Sequence, residues 1–244
     1  MLLIVAALEE ELESAMALCG AAGKLRGTSL RQAERKGKTI CFLRSGVGPK
    51  RSAARLEDAL KVIAPERILV IGYAGAVDPG LKLGDLVAVA RAHAFSLDRD
   101  NPDWGHGVLD GTYDLEDAAA LADCAQSAGL NACIGDALTS PYVLGDPEHK
   151  RLLRKTFHAS IVDMETAALA KVAVAAKIPT CCIRSVSDEA DDTFLAPFSH
   201  DPAVDMPARA KKLFDAGLTE TYRAWKDHAA VARKSLQRFL ACYL

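Results

Sequence analysis

The chain has 244 residues, of which 50% are hydrophobic and 25% charged, and Lys+Arg 30 against Asp+Glu 32 leaves a formal net charge of -2. That is the composition of a globular protein with length for one large domain or two small ones, and it excludes fibres, tails and disorder. A nearly neutral surface also argues against bulk attraction to nucleic acid or to an anionic membrane. No apolar run reaches the roughly 18 residues of a membrane span. The start, MLLIVAALEEELESA, lacks a basic segment and turns acidic at once, so it does not read as a signal peptide; a cytoplasmic chain is expected.

Taken in chain order, short β-rich runs alternate with longer helical ones. Leu2–Ala7 is a continuous apolar run and reads as a buried strand. Glu9–Leu18 reads as a helix with acidic residues in its first turn, where the helix dipole favours them. Thr39–Leu43 is a strand, Ser45–Pro49 a glycine turn, and Lys50–Ile63 a helix with Ala53, Leu56, Leu60 and Ile63 on its apolar side. Arg67–Gly72 and Leu86–Ala94 are buried strands. Ser96–Thr112 is the least regular stretch and reads as a long loop, a lid or partner contact carrying Trp104. Asp114–Ser127 is a helix, Asn131–Leu138 a strand, His149–Phe157 a helix, Ile161–Asp163 a short strand, Glu165–Ala176 a helix of small residues, and Thr180–Ser185 the last buried strand. The region from about Pro207 to Leu240 is one helix or two. Apolar strands alternating with amphipathic helices indicate an α/β fold: a three-layer αβα single domain with a mixed central sheet.

The 7 cysteines (Cys19, Cys41, Cys124, Cys133, Cys181, Cys182, Cys242) are odd in number and contain no CxxC pair, so neither a disulfide framework nor a zinc site is expected. Cys181 and Cys182 sit in an apolar run and read as small buried hydrophobes. The 6 histidines are scattered without ligand spacing, and no metal or other cofactor is expected.

Ligands of open α/β sheets bind outside the carboxyl ends of the strands. That rule selects Leu8–Glu11, Ser45–Pro49, Gly72–Asp78, Pro141–Leu144, and Asp163-Met164-Glu165 together with Ser187-Asp188. Glu165 behind one strand and Asp188 behind another read either as a helix cap and a turn residue or as parts of an acid/base site with Glu11. SGVG and GYAG read either as tight turns or as loops that let a ligand approach the backbone.

The segments ALEEE (7–11), SGVG (45–48), GYAGAVDPGLKLGD (72–85), VDME (162–165) and IRSVSDEAD (183–191) stand in the order found in the purine and uridine phosphorylase family, which also contains the methylthioadenosine/S-adenosylhomocysteine nucleosidases. The chain resembles that family over roughly residues 1–200, and residues 201–244 read as a C-terminal helical extension of the same domain. The resemblance implies cleavage of a nucleoside N-glycosidic bond through a ribosyl-cation-like transition state. It makes Asp188 the acid that protonates or hydrogen-bonds N7 of a purine, a role that calls for a raised pKa, with Ser187 orienting it. Glu165 would accept hydrogen bonds from the ribose hydroxyls, Met164 would pack on the ribose, and Arg184 would support the loop. The substrate-binding set it implies also includes Asp163, Ala74, Gly75, Tyr73, Val47, Val143, Leu144 and Phe194.

The nucleophile sets the reaction class. In the nucleosidase branch a first-loop Glu activates water, and Glu11 takes that position; the phosphorylases hold phosphate with arginines, and none stands in the first loop or in GYAG. Hydrolysis is therefore favoured over phosphorolysis with inorganic phosphate as co-substrate, although Arg44, Lys50 and Arg51 flank a glycine turn suited to an anion. Where the nucleosidases carry an SGDAF-like run whose Phe stacks on adenine, LTSPYVL puts Pro141 at the Asp and Val143 at the Phe, or, in a second register through GDAL, Leu138 at the Phe. The stacking aromatic is lost unless Tyr142 replaces it, and Tyr73 replaces a small residue. These departures count against methylthioadenosine itself and leave room for the hopanoid-associated phosphorylases, whose adenosine bears a bulky apolar 5′ group, and for the futalosine hydrolases. Phe194, Leu195 and Phe198 either line an apolar 5′ pocket or pack the C-terminal helix. A non-catalytic nucleoside-binding protein and a structural α/β subunit are the remaining readings. The resemblance implies a homodimer or larger homo-oligomer.

Overall fold

The structure is a computed structural model. It describes residues 1–20, 22–25, 28–97, 107–193 and 219–244, the side chains of 219–223 and 225 excepted. In chain order the elements are β1 (Leu2–Ala6), α1 (Glu9–Leu18), β2 (Gly23–Lys24), β3 (Arg31–Arg35), β4 (Lys38–Arg44), α2 (Pro49–Leu60), β5 (Arg67–Ala76), β6 (Leu86–Ser96), β7 (Val108–Asp114), α3 (Ala118–Ser127), β8 (Ala132–Thr139), α4 (Pro147–Phe157), β9 (Ile161–Asp163), α5 (Thr166–Ala175), β10 (Thr180–Asp188) and α6 (Thr219–Tyr243).

A 10-stranded mixed sheet runs in the order β10-β6-β8-β9-β5-β1-β4-β3-β2, with β7 on β6. β5 pairs in parallel with β1 and with β10 and also takes β9 antiparallel at its far end. The path β5–β10–β6–β8–β9 thus returns to β5, and the sheet curls on itself around the carboxyl ends of its central strands.

The alternating strand geometry explains the continuous apolar runs, because successive residues face opposite layers. Leu3, Val5, Ile68 and Val70 join one core with Leu56 and Ala59 of α2 and Leu169, Ala170 and Ala173 of α5. Ile4, Ala6, Leu69 and Ile71 join the other with Leu12 and Met16 of α1, Leu121 and Ala125 of α3, and Leu236, Phe239 and Leu240 of α6. This is the three-layer αβα arrangement. Cys182 belongs to the first core and Cys181 to the second, both buried, with burial pushing their thiols up to about 12 and about 11. A smaller cluster of Phe95, Leu138, Leu144, Leu153 and Val162 seats α4.

Several elements depart from the sequence reading. β3 and β4 form a hairpin through Lys36 (φ 48) and Gly37 (φ 73), a two-residue turn with both residues left-handed that matches strand twist. RQAER is too charged to announce itself as a strand; the ladder to β4 holds it. Of the stretch read as a long loop, β6 continues to Ser96 and VLDGTYD forms β7 against β6. Its Val108 and Leu109 are exposed and Asp110 and Gly111 follow them, so it shows no continuous apolar run. Residues 98–106, with Trp104, lie outside the described residues. Because β7 takes Asp114, α3 begins only at Ala118. GYAG is not a turn: β5 runs through it to Ala76, paired with β10 on one side and β9 at its end.

Phe239 of α6 is wholly buried against the sheet. Phe239→Ala should lower the unfolding free energy by about 3–5 kcal/mol in urea denaturation. Val174→Ala, at a position 58% exposed, should change it by less than about 0.5 kcal/mol.

Candidate active site

The carboxyl ends of β1, β5, β8, β9 and β10 converge on one pocket enclosing about 970 Å³ of empty space, its open mouth included, a size suited to a small ligand. Glu11, Val47, Tyr73, Ala74, Gly75, Val143, Leu144, Asp163, Met164, Glu165, Ser187 and Asp188 all line it, joined by Ala7, Leu8, Tyr142 and Val162. Phe194, with Leu195 and Phe198, lies outside the described residues.

Local structure sets each acidic group. Glu11 stands three residues after the α1 cap and reaches back to it: its Oε2 accepts from the Leu8 N–H at 2.7 Å, and its Oε1 accepts from the Tyr73 N–H at 2.9 Å. Burial raises the Glu11 pKa, opposed by Arg184 and by these two N–H groups. Glu165 caps α5 from a short strand, and its Oε1 accepts from the Gly48 N–H at 2.9 Å. Burial pushes Glu165 up to about 7, against the pull of Arg184 and with the help of Asp163.

Asp163 faces inward. Its Oδ1 accepts from Thr139 Oγ1 at 2.7 Å and from the N–H groups of Glu165 and Thr166 at 3.2 Å, while its Oδ2 takes Thr166 Oγ1 and, at 3.0 Å, Arg184 Nη2. Arg184 therefore lies beneath the pocket floor, tied to the residues that form it. It is 1% exposed, lies 3.5 Å from Glu165 Oε2, and sends Nη1 to the Tyr73 carbonyl at 3.4 Å. Gly72 makes room for it: a Cβ there would stand 2.3 Å from Arg184 Nη1 and 2.8 Å from Glu11 Oε1.

Asp188 lines the pocket from the end of β10. The β5–β10 register slips between Val186 and Asp188, so Asp188 pairs with Gly75, and such an irregularity re-aims the side chain. A Cβ on Gly75 would lie 2.7 Å from Asp188 Oδ2. Asp188 Oδ1 accepts from Ser187 Oγ at 2.9 Å. Its Oδ2 meets a residue that sequence reasoning missed, Lys150 of α4, at 2.6 Å. The available signal was helical spacing, since Lys150 falls on the stripe that buries Leu153.

Of the two registers considered for the loop after β8, Val143 lines the pocket, as do Tyr142 and Leu144, whereas Leu138 is buried in the cluster under α4. At the SGVG turn the Gly48 N–H is committed to Glu165, and the Arg51 side chain folds over Gly46. Arg44 is largely exposed and 4.0 Å from Glu9. Among the described residues no His/Cys/Asp/Glu cluster is arranged to hold a metal ion, and no helix is long and apolar enough to cross a membrane.

The chain is similar to several known proteins, and the structural likenesses extend over its whole fold. A 5′-methylthioadenosine/S-adenosylhomocysteine nucleosidase of Geobacillus thermodenitrificans is 31% identical over 163 residues, 64% of this chain and 69% of the relative. Futalosine hydrolase of Helicobacter pylori superposes with a TM-score of 0.71 at 23% identity, covering 98% of this chain and 96% of that one. The 5′-methylthioadenosine/S-adenosylhomocysteine nucleosidase of Neisseria meningitidis, solved with methylthio-immucillin-A, gives 0.72 at 21% identity, covering 98% and 96%. The family model of the phosphorylase superfamily matches residues 2–238, so the chain belongs to that superfamily and is one of its enzymes.

Proposed function

We propose that the protein is a nucleosidase that cleaves the N-glycosidic bond of an adenosine-type, 5′-modified purine nucleoside with water as nucleophile. The observation that carries this reading is the charge of the pocket floor. Glu11, Asp163 and Glu165 are buried there around the single guanidinium of Arg184. Such a floor favours a ribosyl cation above it and disfavours a phosphate dianion. The backbone donor best placed to greet an anion, the Gly48 N–H, is already given to Glu165.

The parts then divide the work. Glu165 keeps Oε2 for the ribose hydroxyls while Oε1 is pinned by Gly48. Glu11 has one N–H on each oxygen, and the second lone pair of either can take a proton from water as C1′ is attacked. Asp188, with Ser187 behind it, meets N7 of the departing base. Asp163 holds the floor together rather than the ligand. Tyr142 and Val143 flank the base in place of a stacking phenylalanine, and Leu144 extends that apolar wall. No cofactor enters this scheme. A cytoplasmic homodimer or larger homo-oligomer belongs to the same reading.

The deciding experiment is turnover of a purine nucleoside panel that includes 5′-methylthioadenosine, with and without phosphate. Free base and free sugar at equal rates in both arms are expected. Sugar 1-phosphate would overturn water as the nucleophile, and no cleavage in either arm would overturn the enzyme assignment. Glu11→Gln and Asp188→Asn should each lower kcat by about 10²–10⁴-fold in steady-state assays, the usual contribution of a positioned acid or base.

The pH dependence follows from the raised carboxyls. With Glu165 at about 7, kcat/KM should fall as the pH drops through that value, because the protonated floor no longer favours a cation. Stability moves the other way. The folded chain holds that proton up to about 7 and the unfolded chain only to 4.5, so the melting temperature should decline as pH rises through this window. Thermal melts of Glu165→Gln should show a smaller decline.

A further inference from the structure

Lys150 is wholly buried, and its Nζ faces the Asp188 carboxylate. Lysine is almost never found so unless paired. Here Nζ donates to Asp188 Oδ2 and to the Glu189 carbonyl, each at 2.6 Å. The helix that delivers it is firmly started: Pro147 opens α4, and the Asp146 side chain accepts from the Glu148 N–H at 2.7 Å. Leu153, one turn on, is buried in the cluster beneath. The other charges around the pair are engaged elsewhere. Glu189 takes Lys82 at 2.8 Å, Arg154 pairs with Asp78 at 2.7 Å, and Arg151 faces Asp191 at 3.8 Å. The short contact of Lys150 is therefore with the carboxylate that the nucleosidase reading sets against the purine.

That contact has a chemical consequence. A carboxylate gripped by an ammonium on one oxygen and a hydroxyl on the other is a strong acceptor, and the nearest proton resides on Lys150. We propose that Lys150 is a positioning residue for the cleavage, which aims Asp188 at the base and replenishes through it the proton the base carries away. This inference rests on the nucleosidase reading. As the C1′–N9 bond breaks, its electron pair passes to the purine. Lys150 gives a proton to the Asp188 carboxylate, and N7 takes it from the carboxyl so formed, leaving a carboxylate and a neutral amine. Water adds to C1′ and gives its proton to Glu11. Exchange with solvent returns a proton from Glu11 to Lys150, so the cycle consumes only water.

The test compares a purine nucleoside with 4-nitrophenyl riboside, whose phenolate departs without a proton. In Lys150→Met, kcat on the purine nucleoside should fall by at least about 100-fold with little change in KM, and kcat on the nitrophenyl riboside by less than about 3-fold, as expected for loss of proton delivery alone. The residual purine activity should decline with rising pH over a range where the wild type stays level. Equal losses on both substrates, or unchanged purine turnover, would overturn the inference. Should Lys150→Met not fold, Lys150→Arg supplies the charge without a releasable proton. It should turn over the nitrophenyl riboside but not the purine nucleoside, and full recovery on the purine would overturn the inference. A wild-type protein that cleaves neither substrate would overturn the nucleosidase reading, and this inference with it.

Discussion

Arg184 lies beneath the pocket, wholly enclosed, with its guanidinium shared among elements that are far apart in the chain. It rises from β10, pairs with Asp163 at the end of β9, approaches Glu165 at the cap of α5, and touches the Tyr73 carbonyl of β5. A buried charge persists only when its partners replace water, and a broken pair strands the survivor. The sheet is arranged around this demand. β9 ends where Asp163 can answer the guanidinium, and Gly72 carries no side chain so that Glu11 and Arg184 can both come in. The ions that close the fold at this edge thus lie against the pocket, with Asp163 and Glu165 in its lining.

Two ionic groups therefore line one pocket, and the nucleosidase proposal assigns each to a different half of a nucleoside. On the floor, three carboxyls gather around one arginine, which pairs with Asp163 and Glu165, and the nucleosidase proposal rests on this acidic surplus. Elsewhere in the lining one carboxylate has one lysine, the pair to which we assign the proton of the departing base. The division arises from topology: the floor gathers on β9, β10, the cap of α5 and the first turn of α1, whereas the pair joins the end of β10 to α4.

Much of this is legible in the linear chain, for identifiable reasons. β1, β5, β6 and β10 are buried on both faces, so burial writes itself as unbroken apolar runs. β3 and β7 are held by backbone ladders with mixed, mostly exposed or half-buried side chains, and no hydropathy pattern records a ladder. Glu11, Glu165 and Asp188 are readable because each follows a strand, and strand ends are where such sheets bind ligands. Lys150 is not, since Arg151, Arg154 and Lys155 beside it are the same kind of residue, and only its place on the buried stripe separates it. Gly75 misleads for a related reason. In sequence it is one of a pair of turn-like glycines, whereas in the sheet it is the gap into which the Asp188 carboxylate fits.

The pairing of β5 with β1, β9 and β10 also bears on how the chain folds. Glu11 belongs to the first turn of the first helix, and Asp188 to the last strand before the C-terminal segment. Contacts so remote in sequence incur their loop-closure cost before they return any stabilisation, and topologies rich in them fold slowly. During synthesis the first strands and α1 leave the ribosome long before β10. Until β10 docks, the acidic floor has no guanidinium, and the pocket has no Asp188. Ligand recognition is in this sense a property of the completed sheet, and a small molecule that grips both ionic groups would stabilise the whole fold rather than any piece of it.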